Sequence, residues 1–160
     1  MKIIGLTGGI GSGKSSALEI FKKIGISTYN ADESAKELIS SDKKIIHSIK
    51  QIFGEDIYNE NELNSKLVSK IVFNDNEKLK SLNSIIHPAV AVDFHNFCFK
   101  HREENYIVKE AAIIFETKTE NLFDKIIYVK APKETIIDNI NYTDLENKVF
   151  EIQDTLINLK

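Results

Sequence analysis

Arginine is nearly absent from this chain. Of 21 basic residues in a length of 160, Arg102 is the only arginine, so chemistry that needs a guanidinium fork on a carboxylate or phosphate has a single candidate. Cysteine is equally scarce. Cys98 stands alone, which excludes an internal disulfide, and no Cys/His cluster has metal-ligand spacing; Cys98 reads as a small packing residue. No apolar run approaches the roughly 18 residues of a membrane span, and the Met1-Lys2 start lacks the apolar stretch of a secretory signal. The expectation is a cytoplasmic protein without a membrane partner. The net charge of -3 has no long block of one sign, so there is no electrostatic footprint for nucleic acid. Small molecules are the expected partners of a monomer or small homo-oligomer.

What is present fits one ordinary globular domain, with 42% hydrophobic and 28% charged residues and enough length to bury a core. Lys2 to Thr7 carries Ile3, Ile4 and Leu6 and reads as a buried strand. Ala17, Leu18, Phe21 and Ile24 recur at helical spacing until Gly25, predicting a helix over 14–24. Ile26 to Tyr29 reads as a second strand. It ends at Asn30-Ala31-Asp32, where Asn30 is placed to cap a new helix with support from Glu33. From Asp42 to Ile86 the pattern is helical, punctuated by Gly54 and by Tyr58 to Asn61. Pro88 is expected to end the last of these helices near His87, because the residue before proline disfavours helical geometry, and another helix should follow to His101.

Tyr106 to Phe115 and Lys125 to Lys130 read as further strands, and Leu145, Val149, Ile152, Leu156 and Leu159 build a closing amphipathic helix behind the capping box at Thr143 to Glu146. Strands alternating with helices predict an α/β fold, a mostly parallel sheet with helices on both faces. In such a sheet ligands sit at the carboxyl ends of the strands. His47, His95 and His101 read as helix surface.

Gly8, Gly13, Lys14 and Ser15 satisfy G-x-x-x-x-G-K-[ST] between the first strand and the first helix, the P-loop arrangement in which backbone N–H groups wrap phosphate oxygens. Gly9, Ile10, Gly11, Ser12, Gly13, Lys14, Ser15 and Ser16 are therefore candidate nucleotide contacts. Lys14 should reach the β- and γ-phosphates, and the Ser15 hydroxyl should ligate the Mg²⁺ that bridges them. No N-K-x-D or D-x-x-G sequence occurs, which disfavours a GTPase and leaves a small kinase. A kinase needs a carboxylate beside the acceptor hydroxyl. Asp32, at the end of the second strand, is the candidate; on spacing alone it serves equally as a helix-start aspartate.

With these residues in view, the chain resembles the dephospho-CoA kinase family. The resemblance rests on Leu6 to Ser15, on Ala31-Asp32 before Ala35-Lys36-Glu37-Leu38, and on Ile86-His87-Pro88. It extends to Glu110-Ala111-Ala112-Ile113-Ile114-Phe115-Glu116, similar to the family's P-L-L-F-E segment, and to Ala131-Pro132-Lys133-Glu134-Thr135, similar to its A-P-x-E-x segment. The resemblance implies a P-loop NTPase-type core, about 1–30 and 104–160, with a helical acceptor-binding insertion at about 31–103. It implies transfer of the γ-phosphoryl group of ATP to the 3′-hydroxyl of dephospho-CoA, with Asp32 as general base. His87, Pro88, Lys109, Phe115 and Glu116 become acceptor contacts, and Pro132 and Asn139 lie near the adenine. Two departures stand out: Asn30 where many members have a second aspartate, and Ala112 in place of the usual proline.

A third departure is larger. Ala131 to Thr135 runs straight into Ile136-Ile137-Asp138-Asn139, which resembles the family's V-I-x-N segment, so the helical lid with arginines that members carry between the two is missing between Thr135 and Ile136. An arginine at the transferring phosphoryl group contributes about 10³ to 10⁵ in rate. Two accounts are open. Either the native protein has a mobile lid that these 160 residues omit, which is the expectation, or the gene has lost it and the product is a non-catalytic nucleotide-binding protein. A different small-molecule P-loop kinase remains the third reading.

Overall fold

The computed structural model describes residues 1–60, 62–115, 118–130 and 142–157. In chain order the elements are β1 (Lys2–Gly8), α1 (Lys14–Lys23), β2 (Thr28–Asn30), α2 (Ala31–Ser41), α3 (Lys43–Phe53), β3 (Tyr58–Asn59), β4 (Glu62–Leu63), α4 (Ser65–Asn74), α5 (Asn76–Lys100), β5 (Tyr106–Glu110), β6 (Lys125–Val129) and α6 (Tyr142–Ile157). The chain divides into two compact units, Met1–Asn30 with Phe97–Lys160, and Ala31–Asn96.

The first unit is built on a parallel sheet of order β2-β5-β1-β6. Side chains alternate across a strand, and here both sets are used. On one face Ile4, Leu6, Tyr106 and Val108 pack with Ala17, Leu18 and Phe21 of α1 and Val149 and Leu156 of α6. Phe21, Ile4 and Leu6 are fully buried; truncating such a phenylalanine to alanine costs about 3–5 kcal/mol. On the other face Gly5 leaves room for the loops that follow β5 and β6's approach. A Cβ at Gly5 would lie 2.9 Å from the Ile114 side chain and 3.0 Å from the Phe123 ring. Tyr29 and Lys109, paired in register, share that face.

The second unit has its own core, in which Ile45, Ile49, Ile57, Tyr58, Val68 and Leu82 are buried. Helices α3, α4 and α5 start where polar side chains accept from backbone N–H groups: Asp42 from Lys44 and Ile45, Asn64 from Leu67, and Asp75 from Glu77 and Lys78. The antiparallel pair β3–β4 lies within the segment that reads as helical from composition. The turn residues there, Asn59 and Glu60 with its left-handed φ of 57°, reverse the chain.

Two expectations are corrected. Pro88 does not end a helix; α5 runs through it for 25 residues. Ile85, Ile86 and Ala89, on both sides of Pro88, pack against the second core, and that burial outweighs the lost hydrogen bond and ring clash of an interior proline. The strand expected over 106–115 stops at Glu110. Ile114 is fully buried while Ile113 and Phe115 are exposed, so the apolar run after Glu110 covers the sheet as a turn and does not extend it.

Candidate active site

β1 ends at Gly8, the loop follows, and α1 begins at Lys14, so local sequence alone places the loop at the carboxyl edge of the sheet. Gly11 and Gly13 have φ of 72° and 92°, left-handed values that side chains disfavour. Gly8 is constrained by space, since a Cβ there would sit 2.2 Å from the carbonyl oxygen of Val129 on β6. The resulting cavity, of about 260 Å³, is lined by Gly11, Ser12, Gly13, Lys14, Ser15 and Ser16. The amino end of α1 opens into it, supplying unpaired N–H groups and the positive end of the helix dipole. This is an anion cradle.

Lys14 Nζ donates to the carbonyls of Gly8 at 2.8 Å and Gly9 at 2.9 Å. These bonds hold the ammonium over the loop, and an ammonium has a third proton to direct at a phosphate oxygen. Ser12 is buried, and its Oγ has no hydrogen-bond partner among the described residues. Ser15 and Gly9 are exposed, and Ile10 is fully so. Among the described residues no group of three or more His, Cys, Asp or Glu side chains could hold a metal ion. One serine hydroxyl, that of Ser15, beside an anion cradle is a donor set that fits Mg²⁺ held together with nucleotide phosphates.

Asn30 and Glu110 end the neighbouring strands β2 and β5. Asn30 Nδ2 donates to Glu110 Oε2 at 3.0 Å, and Glu110 is 9% exposed. Register aligns both with Leu6 of β1, two residues before Gly8. The Asn30 amide N–H, read from sequence as part of a helix cap, is therefore directed across the sheet edge. Lys109 lies on the opposite face, its Nζ 5.8 Å from the Tyr29 ring centre and 6.0 Å from that of Phe123. Burial pushes its ammonium below the usual lysine value, with nearby Cys98 opposing, and burial pushes the Cys98 thiol up.

In the second unit Asp32 is an exposed residue in the first turn of α2, and His87 and Pro88 are exposed on α5. Phe115 is 51% exposed. Glu116, Pro132, Asn139 and the Thr135–Ile136 junction lie outside the described residues. His101 is not a plain surface residue: its Nδ1 lies 2.9 Å from Ser27 Oγ and 2.6 Å from Glu104 Oε1. Sequence reading missed this cluster and the Asn30–Glu110 bond, because Ser27 lies 74 residues from His101 and Asn30 lies 80 from Glu110 along the chain.

A parallel sheet whose first strand delivers a glycine loop, lysine and serine onto a helix defines a P-loop nucleotide-binding protein. The chain matches the dephospho-CoA kinase family over residues 2–155 and belongs to that family. It is 38% identical over 143 residues to a dephospho-CoA kinase of Chlorobium chlorochromatii, a match covering 85% of this chain and 68% of that one. It is 42% identical over 134 residues to one of Bartonella quintana, covering 82% and 68%. Its fold is that of a Thermus thermophilus crystal structure, with a TM-score of 0.73 and 24% identity over 96% of this chain and 84% of that one. A dephospho-CoA kinase from Campylobacter jejuni shares it, with a TM-score of 0.65 and 22% identity over 99% and 85%. No helix among the described residues is long and apolar enough to cross a membrane.

Proposed function

We propose that this protein transfers the γ-phosphoryl group of ATP to the ribose 3′-hydroxyl of dephospho-CoA, giving coenzyme A and ADP, the last step of coenzyme A synthesis. The observation that carries the reading is the phosphate cradle from Gly8 to Ser16 in a chain of the dephospho-CoA kinase family. The backbone N–H groups of Gly9 to Ser16 bind the phosphates, and Lys14 contacts the β- and γ-phosphates. The Ser15 hydroxyl holds Mg²⁺, which when bound neutralises charge on the phosphate oxygens. Asp32 orients the acceptor hydroxyl and accepts its proton as the oxygen attacks phosphorus in line. His87, Pro88, Lys109, Phe115 and Glu116 contact the acceptor, and Pro132 and Asn139 the adenine. The protein acts in the cytoplasm, as a monomer or small homo-oligomer.

The test is ADP release with ATP, Mg²⁺ and dephospho-CoA. Turnover is expected in the native protein and loss of it in Lys14→Ala and Asp32→Asn; activity surviving in Asp32→Asn would remove Asp32 as base.

A second reading, nucleotide binding without turnover, is favoured by Arg102. It lies in the turn after α5 that leads into the amino end of β5, whereas the loop leaves the carboxyl end of the parallel strand β1. There its guanidinium contacts the Phe99 carbonyl and the Glu103 carboxylate and stacks 4.6 Å from the Phe99 ring centre, so the sole arginine serves the other edge of the sheet. We keep the lid as part of the primary reading, placed between Thr135 and Ile136. The greater length of the relatives, of which matches cover 68%, supports it. An intact mass of the native protein equal to 18.2 kDa, with ATP bound and no ADP released, would establish the second reading.

A further inference from the structure

The first turn of α2 carries Asp32, and α2 starts at the residue after β2 ends, with no intervening loop whose packing could fix the turn. Among the hydrogen bonds that tie the helix to other parts of its own unit, two lie at opposite ends. Near its amino end Ser34, buried to 9% exposure, donates from Oγ to Asp93 Oδ2 of α5 at 2.6 Å. Near its carboxyl end the carbonyl of Ile39 accepts from the Tyr58 hydroxyl at 3.0 Å. A hydroxyl-to-carboxylate bond of that length is charge-assisted, about twice as strong as a neutral one. The two ties differ in what they hold. Ser34 is two residues from Asp32, inside the same turn, whereas Ile39 is seven residues away, two turns along the axis.

We infer that Asp93 is a positioning residue for phosphoryl transfer: through Ser34 it fixes the first turn of α2, and with it the direction of the Asp32 carboxylate. The inference rests on the reading of Asp32 as the base. Its physical content is that a general base must hold hydrogen-bond geometry to the acceptor hydroxyl. A base in the first turn of a helix loses that geometry first when the turn frays, since terminal turns lack part of their backbone bonds. Asp93 is a partner that the local pattern of α2 cannot supply, because it lies 59 residues further along the chain.

The test measures kcat and KM of the full-length protein for Asp93→Ala, Asp93→Asn, Ser34→Ala, Tyr58→Phe and Asp32→Asn, varying ATP and dephospho-CoA in turn with the other substrate and Mg²⁺ saturating. Asp93→Ala is expected to lower kcat about tenfold, inside the roughly hundredfold that an ångström of misplacement costs, with KM for ATP unchanged. Asp93→Asn, whose carbonyl still accepts from Ser34, should recover most of the loss. Ser34→Ala should match Asp93→Ala, and the double variant should add nothing. Tyr58→Phe should lower the melting temperature and leave kcat intact. An unchanged kcat in Asp93→Ala beside an inactive Asp32→Asn overturns the positioning role and leaves the base standing. Full activity in Asp32→Asn overturns the base and this role with it. A loss of kcat in Tyr58→Phe equal to that in Asp93→Ala, at equal loss of melting temperature, reduces the effect to stability and also overturns it. If native turnover is too slow to measure, the Asp32 carboxyl ¹³C resonance is the readout. It should move on adding dephospho-CoA to the native protein and not to Asp93→Ala, and equal movement in both overturns the inference.

Discussion

Asn30 Nδ2 donates to Glu110 Oε2 at 3.0 Å, joining the carboxyl ends of β2 and β5 beside the strand that feeds the phosphate loop. The amide gives a buried carboxylate a donor without adding a second negative charge. Asn30→Asp would place two carboxylates at hydrogen-bond distance, and one of them would then hold its proton well above the usual carboxylate range. A raised folded-state pKa on an acid means stability that falls as pH rises through that pKa. The variant is therefore expected to be less stable than the native protein by roughly 1–3 kcal/mol near neutral pH, with the deficit shrinking as pH falls. Thermal melts of both proteins across that range measure it, and a deficit independent of pH would contradict the charge argument.

Gly8 offers a sharper steric test. A Cβ would meet the Val129 carbonyl at 2.2 Å and Ser12 Oγ at 2.8 Å, and the first of these is backbone that cannot rotate away. Gly8→Ala should force β1 and β6 apart at the loop, weakening ATP binding at least tenfold while also lowering the melting temperature. Gly9→Ala is the companion variant, since a Cβ there meets nothing within 4 Å. It should keep the native melting temperature, so a Gly9→Ala protein as unstable as Gly8→Ala would show that the loop tolerates no side chain for reasons other than this contact.

Pro88 sits exposed inside α5, where it has no N–H to donate. An interior helical proline costs about 3 kcal/mol relative to alanine, so Pro88→Ala is expected to stabilise the protein by about 1–3 kcal/mol. Denaturant unfolding reads this directly. If Pro88 also contacts the acceptor, the same variant raises KM for dephospho-CoA while raising stability, and no general loosening of the fold produces that combination.

The loop was legible in the sequence because everything that builds it is local. A strand, four glycines within six residues from Gly8 to Gly13, a lysine and a helix follow one another, and the constraint at each step is steric or electrostatic over a few ångströms. Tertiary pairings were not legible. Asn30 meets Glu110 across 80 residues and Ser34 meets Asp93 across 59, and neither pair leaves a trace in local periodicity. Asp32 shows the intermediate case: spacing left it equally a base candidate and a helix-start carboxylate, and the family resemblance favoured the base. The misplaced helix end at Pro88 has the same origin, a local rule overridden by Ile85, Ile86 and Ala89 packing into the second core.

The last prediction concerns acid. Glu104 Oε1 accepts from Ser27 Oγ at 2.6 Å and pairs with His101 Nδ1 at 2.6 Å, a cluster that joins the end of α5 to the entrance of β2. Burial works to raise the Glu104 carboxyl, but the hydrogen bonds from Ser27 and His101 and the histidine's charge together hold it below the usual glutamate range. A carboxylate with a depressed folded-state pKa contributes stability that is present above its unfolded pKa, about 4.3, and lost as pH falls through the lower folded value. The Glu104 side chain is 34% exposed, so solvent screens the pair and the contribution is small. Native protein should therefore lose stability through this acid range more steeply than Glu104→Gln, which has no carboxylate to protonate. Denaturant midpoints of the two proteins from about pH 6 downward should converge, and curves that stay parallel would show that the cluster contributes packing and no charge.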